Sequence, residues 1–229
     1  MFRGIGLDLP LTPEESEQRV QEYEAQLQKQ EQERKQREYE SSGVPQKFWR
    51  EGFNTFETSE EKEIVAFDTV RQFADNPKNR VLILCGNNGN GKTHLGCSVI
   101  RQCGGEYITS SMLCMKYDSA IGYKVDMNRE ELIAHYSKIP MLVIDECTKY
   151  FVNEQTEKFL LVQIICMRYE NDKPTVLITN ANKESFIKFL GKSSFDRLTE
   201  VGTTLTFDWE SKRKFAREEY AKPTTENKI

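Results

Sequence analysis

Val81-Leu82-Ile83-Leu84-Cys85 runs directly into Gly86-Asn87-Asn88-Gly89-Asn90-Gly91-Lys92-Thr93. Five apolar residues in a row, without alternation, read as a strand buried on both faces, as in a parallel sheet. The next eight match G-x-x-x-x-G-K-[ST] in full. The glycines let the backbone curl so that successive N–H groups point at phosphate oxygens. Lys92 reaches the β- and γ-phosphates, and Thr93 offers its hydroxyl to Mg²⁺. Gly86, Asn87, Asn88, Gly89, Asn90, Gly91, Lys92 and Thr93 are therefore the candidate nucleotide-binding residues. His94, next in the helix, is counted with them as a nucleotide-site candidate and is expected to pack or face solvent rather than act in catalysis.

About 50 residues later, Met141-Leu142-Val143-Ile144 ends in Asp145-Glu146. Asp145 at a strand end can hold Mg²⁺, and Glu146 can polarise an attacking water as general base. A small-molecule kinase has no need of the second carboxylate, so the pair points to hydrolysis. One strand further, Thr175-Val176-Leu177-Ile178-Thr179 ends at Asn180. If this strand is inserted beside the phosphate-loop strand, Asn180 lies by the γ-phosphate and can orient the water. The plainer alternative is an Asn that turns the chain at a strand end.

The spacing predicts strands at 81–85, 106–109, 141–144, 175–179 and 203–207. Helices are predicted at 92–102, 111–121, 129–138, 153–170 and 183–190, with a helical turn at 193–200. Five strands with intervening helices imply a three-layer α/β sandwich with a parallel sheet. Upstream, a helix is predicted from about Ser59 to Ala74, and Phe48, Trp49, Phe53 and Phe56 are expected to pack on the domain's edge. Thr12-Pro13-Glu14-Glu15 opens a further helix, with Thr12 as cap and Pro13 at the first helical position. That helix, roughly 13–40, is charged, with Val20, Tyr23 and Leu27 forming one thin apolar stripe. It is either a solvated helix or one that docks on a partner. The expected organisation is an arm at 1–42, an aromatic linker at 43–58, an ATPase domain at 59–208 and a basic tail at 209–229.

Of 229 residues, 32 are Lys or Arg and 36 Asp or Glu. Residues 1–42 carry 6 basic and 10 acidic residues, so the net charge of −4 lies in the arm, and the remaining 26 and 26 cancel. A neutral body argues against sequence-independent grip on duplex DNA but leaves room for a short single-strand groove. No run of about 18 apolar residues suggests a membrane span, and the first ten residues lack the apolar core of a secretory signal. The six cysteines show no C-x-x-C spacing and read as reduced thiols of a cytoplasmic protein.

The phosphate loop, the run Leu142–Glu146, the segment Arg168-Tyr169-Glu170 through Asn180, and Phe195-Asp196-Arg197-Leu198 together resemble the AAA+ ATPases that load bacterial replicative helicases. These are the DnaC-like proteins and their transposition relatives, the IstB-like helpers. Phe207-Asp208-Trp209-Glu210-Ser211 with Arg213 resembles the end of the DnaC-like proteins in particular. The likeness covers roughly residues 44–215 and implies a P-loop NTPase of the AAA+/ASCE type. It implies that Asn180 is the sensor 1 residue and that Arg197 is an arginine finger given to a neighbouring subunit. Arg213 lies where a sensor 2 residue is expected. From the residues alone, the plainer alternative for Arg197 is a helix-surface charge paired with Asp196 or Glu200, and for Arg213 a place in a solvated tail. The 22 residues after Phe207 are too few for a full lid, so a truncated lid is expected. The family's single-stranded-DNA contact maps to roughly 111–128, where Lys116, Tyr117, Tyr123 and Lys124 are candidates beside the reading of ordinary surface.

The resulting expectation is an ATP- and Mg²⁺-dependent loader of the hexameric replicative helicase, self-assembling with ATP, binding single-stranded DNA and docking through Val20, Tyr23 and Leu27. The alternatives are a transposition helper acting with a transposase on duplex DNA, and a non-hydrolysing adaptor switched by ATP.

Overall fold

The computed structural model describes residues 13–77, 81–121, 127–148, 153–200 and 202–212. The chain forms two compact units, one ending at Glu38 and one beginning at Tyr39. The first contains helix α1, Pro13–Ser41, as far as Glu38. Its charges pair along the helix: Arg34 bonds Glu31 at 2.8 Å and also Glu38, at i−3 and i+4 spacing. Val20, Tyr23 and Leu27 are 56%, 62% and 46% exposed.

The second unit is a five-stranded parallel sheet between two helical layers. After α2 (Glu61–Asp75) come β1 (Val81–Gly86), α3 (Lys92–Cys103), β2 (Glu106–Thr109), α4 (Ser110–Ser119) and α5 (Arg129–Lys138). Then follow β3 (Leu142–Cys147), α6 (Glu154–Glu170), β4 (Thr175–Thr179), α7 (Lys183–Leu190), α8 (Lys192–Glu200) and β5 (Gly202–Phe207). The strand order is β2-β3-β4-β1-β5, and every pairing is parallel. The sequence expectation of a three-layer α/β sandwich holds.

Strand alternation divides the core. Ile83, Ile108, Leu142, Ile144 and Leu177 face one layer with Leu160, Leu161, Ile164 and Phe186. Leu82, Leu84, Val143, Val176 and Ile178 face the other with Leu95, Val99, Val70 and Phe73. Both faces of each central strand are covered, which is why β1 is apolar from Val81 to Cys85 and β4 from Val176 to Ile178. Truncating one such residue to Ala costs about 2–5 kcal/mol.

The aromatic segment before the sheet folds into two short 3₁₀ turns, Gln46–Phe48 and Phe53–Thr55. Phe53 meets Phe67 edge-on at 5.8 Å, and Phe56 stacks on Phe67 at 5.7 Å. Arg168, fully buried on α6, bonds the carbonyls of Tyr136, Ile139 and Pro174 and the Thr175 hydroxyl. It joins the α5–β3 and α6–β4 turns beneath the sheet. Burial, with no carboxylate partner among the described residues, brings its pKa down to about 10. All six cysteines are free thiols. Burial pushes Cys97 and Cys147 well above the ordinary thiol range, so they are poor nucleophiles.

Candidate nucleotide site

The site forms where β1, β3 and β4 end on the same side of the sheet. Because β4 lies between β1 and β3, the ends carrying the phosphate loop, Asn180 and Asp145 are neighbours. A cleft of about 210 Å³ is lined by Asn88 through His94, Asp145, Glu146, Asn180 and Phe48.

The loop has the backbone that the chemistry requires. Gly86, Gly89 and Gly91 have φ of 120°, 85° and 88°, left-handed values that side chains resist. A Cβ on Gly91 would overlap the Phe56 ring. Among the described residues no side chain caps α3, and its N-terminal residues Lys92 and Thr93 line the cleft, where a helix N-terminus attracts an anion. Lys92 Nζ donates to the carbonyls of Gly86 at 2.9 Å and Asn87 at 2.5 Å, folded across the loop. Behind the loop, Asn90 donates to the carbonyls of Phe207 and Trp209, and Lys212 N–H to Gly89 O at 3.2 Å.

Asp145 is only 3% exposed. Its Oδ2 accepts the Thr93 hydroxyl at 2.7 Å and the Tyr107 hydroxyl at 2.8 Å, while Oδ1 accepts the Glu146 N–H at 2.5 Å. Burial raises the Asp145 carboxyl above the usual range, against the lowering effect of these hydrogen bonds. Glu146 has φ 57°, and the β3–β4 register slips by one residue between Ile144 and Cys147. This bulge lets adjacent carboxylates serve one cleft, where a regular strand would send them to opposite faces.

The Thr93 hydroxyl and the Asp145 carboxylate form a corner of hard oxygen donors, which suits Mg²⁺. Among the described residues no cluster of three or more His, Cys, Asp or Glu offers a complete metal site.

The structure brings together Gly86–Thr93, Asp145, Glu146 and Asn180. His94 borders the cleft but is packed: Nε2 lies 2.9 Å from Gly52 O and 3.2 Å from Thr55 Oγ1, and its ring meets Phe56 edge-on at 5.3 Å. Arg197 is exposed on α8, away from this cleft, with Nη1 3.7 Å from Cys166 Sγ. Lys116 Nζ donates to Tyr136 OH at 3.1 Å. The Tyr117 ring carries the Arg129 guanidinium at 4.3 Å and lies 6.2 Å from Phe159, so one face is occupied. Tyr123, Lys124 and Arg213 lie outside the described residues. Sequence reading missed Tyr107 and Phe48. A tyrosine in a buried strand needs a partner for its hydroxyl, which was the available signal for Tyr107.

The sequence matches the IstB-like ATP binding protein family over residues 15–219. The chain belongs to that family. The replicative helicase loader DnaC of Escherichia coli (strain K12) is 27% identical over 185 residues, 76% of this chain and 74% of that protein. An ATP-binding protein of insertion sequence IS232 from Bacillus thuringiensis subsp. berliner is 29% identical over 160 residues, 66% of this chain and 62% of that protein. Among solved structures, the DnaC helicase loader superposes with a TM-score of 0.63 at 20% identity, covering 72% of this chain and 100% of that chain. The initiator DnaA bound to AMPPCP and single-stranded DNA superposes at 0.56 and 15% identity, covering 77% and 55%. The fold is the AAA+ P-loop α/β fold. Among the described residues no helix is long and apolar enough to cross a membrane.

Proposed function

We propose that this protein is a cytoplasmic ATPase that loads a hexameric replicative helicase onto single-stranded DNA. The observation that carries the ATPase reading is the convergence of Lys92, Thr93, Asp145, Glu146 and Asn180 on one cleft. The relation to DnaC supports the partner.

In this reading Lys92 leaves its loop carbonyls for the β- and γ-phosphates, and the loop N–H groups hold the remaining oxygens. Thr93 and Asp145 hold Mg²⁺, which when bound neutralises charge on the phosphate oxygens. Glu146 takes a proton from the attacking water, and Asn180 orients that water. Arg197, exposed away from its own cleft, acts on the nucleotide of a neighbouring copy, so ATP favours self-assembly. The arm at 1–42 docks the helicase through Val20, Tyr23 and Leu27. Exposed Lys116, with Tyr123 and Lys124, meets the single strand; Tyr117 contributes through its free edge.

The test is gel filtration with a bacterial replicative helicase, ATP and Mg²⁺. Co-elution that requires residues 1–42, with helicase transferred to single-stranded DNA, supports the proposal. A transposition helper is the second reading, favoured by the IS232 relative. ATP-dependent duplex binding without helicase co-elution selects it.

A further inference from the structure

β2 is the edge strand of the sheet, and Tyr107 is engaged on it from two sides. Its backbone N–H donates to Ser42 O at 2.8 Å, so the segment following α1 closes part of the open edge. Ser42 is held in turn, its hydroxyl donating to Tyr39 O at 2.6 Å. Gly43, at φ 86°, lies against the Tyr107 carbonyl so closely that a Cβ there would overlap the oxygen. On the other side, the buried Tyr107 hydroxyl donates to Asp145 Oδ2 at 2.8 Å. That oxygen also receives the Thr93 hydroxyl. When Thr93 turns to a metal ion, Tyr107 is the side chain that still holds Oδ2, while the Glu146 N–H holds Oδ1.

We infer that Tyr107 is a positioning residue, fixing the Asp145 carboxylate for the metal ion and itself fixed by Ser42 and Gly43. The inference rests on the ATPase reading above. Hydrogen-bond partners that orient a ligating carboxylate govern metal affinity by about 10–100-fold. The nucleotide's phosphates are held by the loop and Lys92, which Tyr107 does not touch. Its effect is therefore confined to the metal-dependent part of binding.

The experiment titrates Mg²⁺ into full-length protein with a fluorescent ATP analogue and repeats the binding in EDTA. Tyr107→Phe keeps the ring and removes the hydroxyl. It should raise the Mg²⁺ concentration for half-maximal binding about tenfold and leave affinity in EDTA unchanged. Gly43→Ala, which displaces Tyr107 from behind, should raise the Mg²⁺ midpoint in the same direction. It should add little in the Tyr107→Phe background, because both act on one line of contacts. An unchanged midpoint in Tyr107→Phe overturns the inference. Equal losses with and without Mg²⁺ overturn it too, since they mark a purely structural role. Parent protein that binds no nucleotide at all overturns the ATPase reading instead, and is told apart by that first control.

Discussion

Thr93 and Asp145 are 52 residues apart in the chain, yet the Thr93 hydroxyl lies 2.7 Å from Asp145 Oδ2. The phosphate loop and the acidic strand thus form one site, whose cation is Lys92. Lys92→Ala should weaken ATP binding by about 10–100-fold, the loss of a charged hydrogen-bond donor worth about 1.5–3 kcal/mol. Calorimetric titration with Mg²⁺·ATP checks this, and parent-like affinity would remove the loop from nucleotide binding.

Glu146→Gln should retain ATP while turnover falls by roughly 10²-fold or more. The left-handed Glu146 backbone, φ 57°, lies at the bulge that turns its side chain to the cleft. A residue held in that region signals a functional constraint. Steady-state phosphate release against nucleotide affinity separates the two effects. Parent turnover in the variant would exclude Glu146 as the base.

Arg197→Ala should bind ATP normally and lose the hydrolysis that assembly stimulates, by about 10³-fold if it is a full trans finger. Mixing Arg197→Ala with Glu146→Gln protein pairs an intact base with an intact finger at some interfaces. Activity should partly return. Co-assembly without recovery would leave Arg197 as a surface charge of α8.

Glu63 ties the segment after β5 to α2. Its carboxylate, 2% exposed, accepts the Ser59 N–H at 2.6 Å and hydroxyl at 2.9 Å, and meets Lys212 Nζ at 3.1 Å. Burial pushes its pKa up, but the Ser59 bonds and the Lys212 ammonium outweigh this and hold it below 4.5. Ionised Glu63 therefore stabilises the fold above about pH 4.5, and the contribution is lost as pH falls through the lowered value. Glu63→Gln should cost about 1–3 kcal/mol at pH 7 and progressively less below pH 4.5. Melting curves from pH 3.5 to 7 test it, and a pH-independent difference would contradict the ionic account.

Val20→Asp with Leu27→Asp should abolish helicase binding and leave ATP binding intact. Three exposed side chains supply only a few kcal/mol at about 25 cal/mol per Å², so one arm is weak and several on a ring are strong. The arm's acidic balance should make binding fall with salt. Pull-down with the helicase at two ionic strengths reads both effects. Full binding by the double variant would move docking to the ATPase unit.

Much of this protein is written in contiguous residues. Val81–Thr93 specifies strand, phosphate loop and helix because each needs only local patterning: an apolar run, glycines for positive φ, and polar residues at the turn. Leu142–Glu146 and Thr175–Asn180 declare buried strands with polar ends for the same reason. The strand order is not local, and it alone sets β4 between β1 and β3 so that Asn180 meets the loop. The β3 bulge that turns Glu146 to the cleft depends on register against β4. Tyr107 reaches Asp145 across 38 residues because β2 pairs with β3, a contact that no local pattern around Tyr107 encodes. Conversely, Tyr117 looks like an open stacking surface in sequence, but Arg129 at the start of α5 covers one face and donates to the Tyr117 carbonyl. Local chemistry determined which residues were able to act; parallel pairing between distant strands decided which of them meet, since side-chain hydrogen bonds reach only about 3 Å.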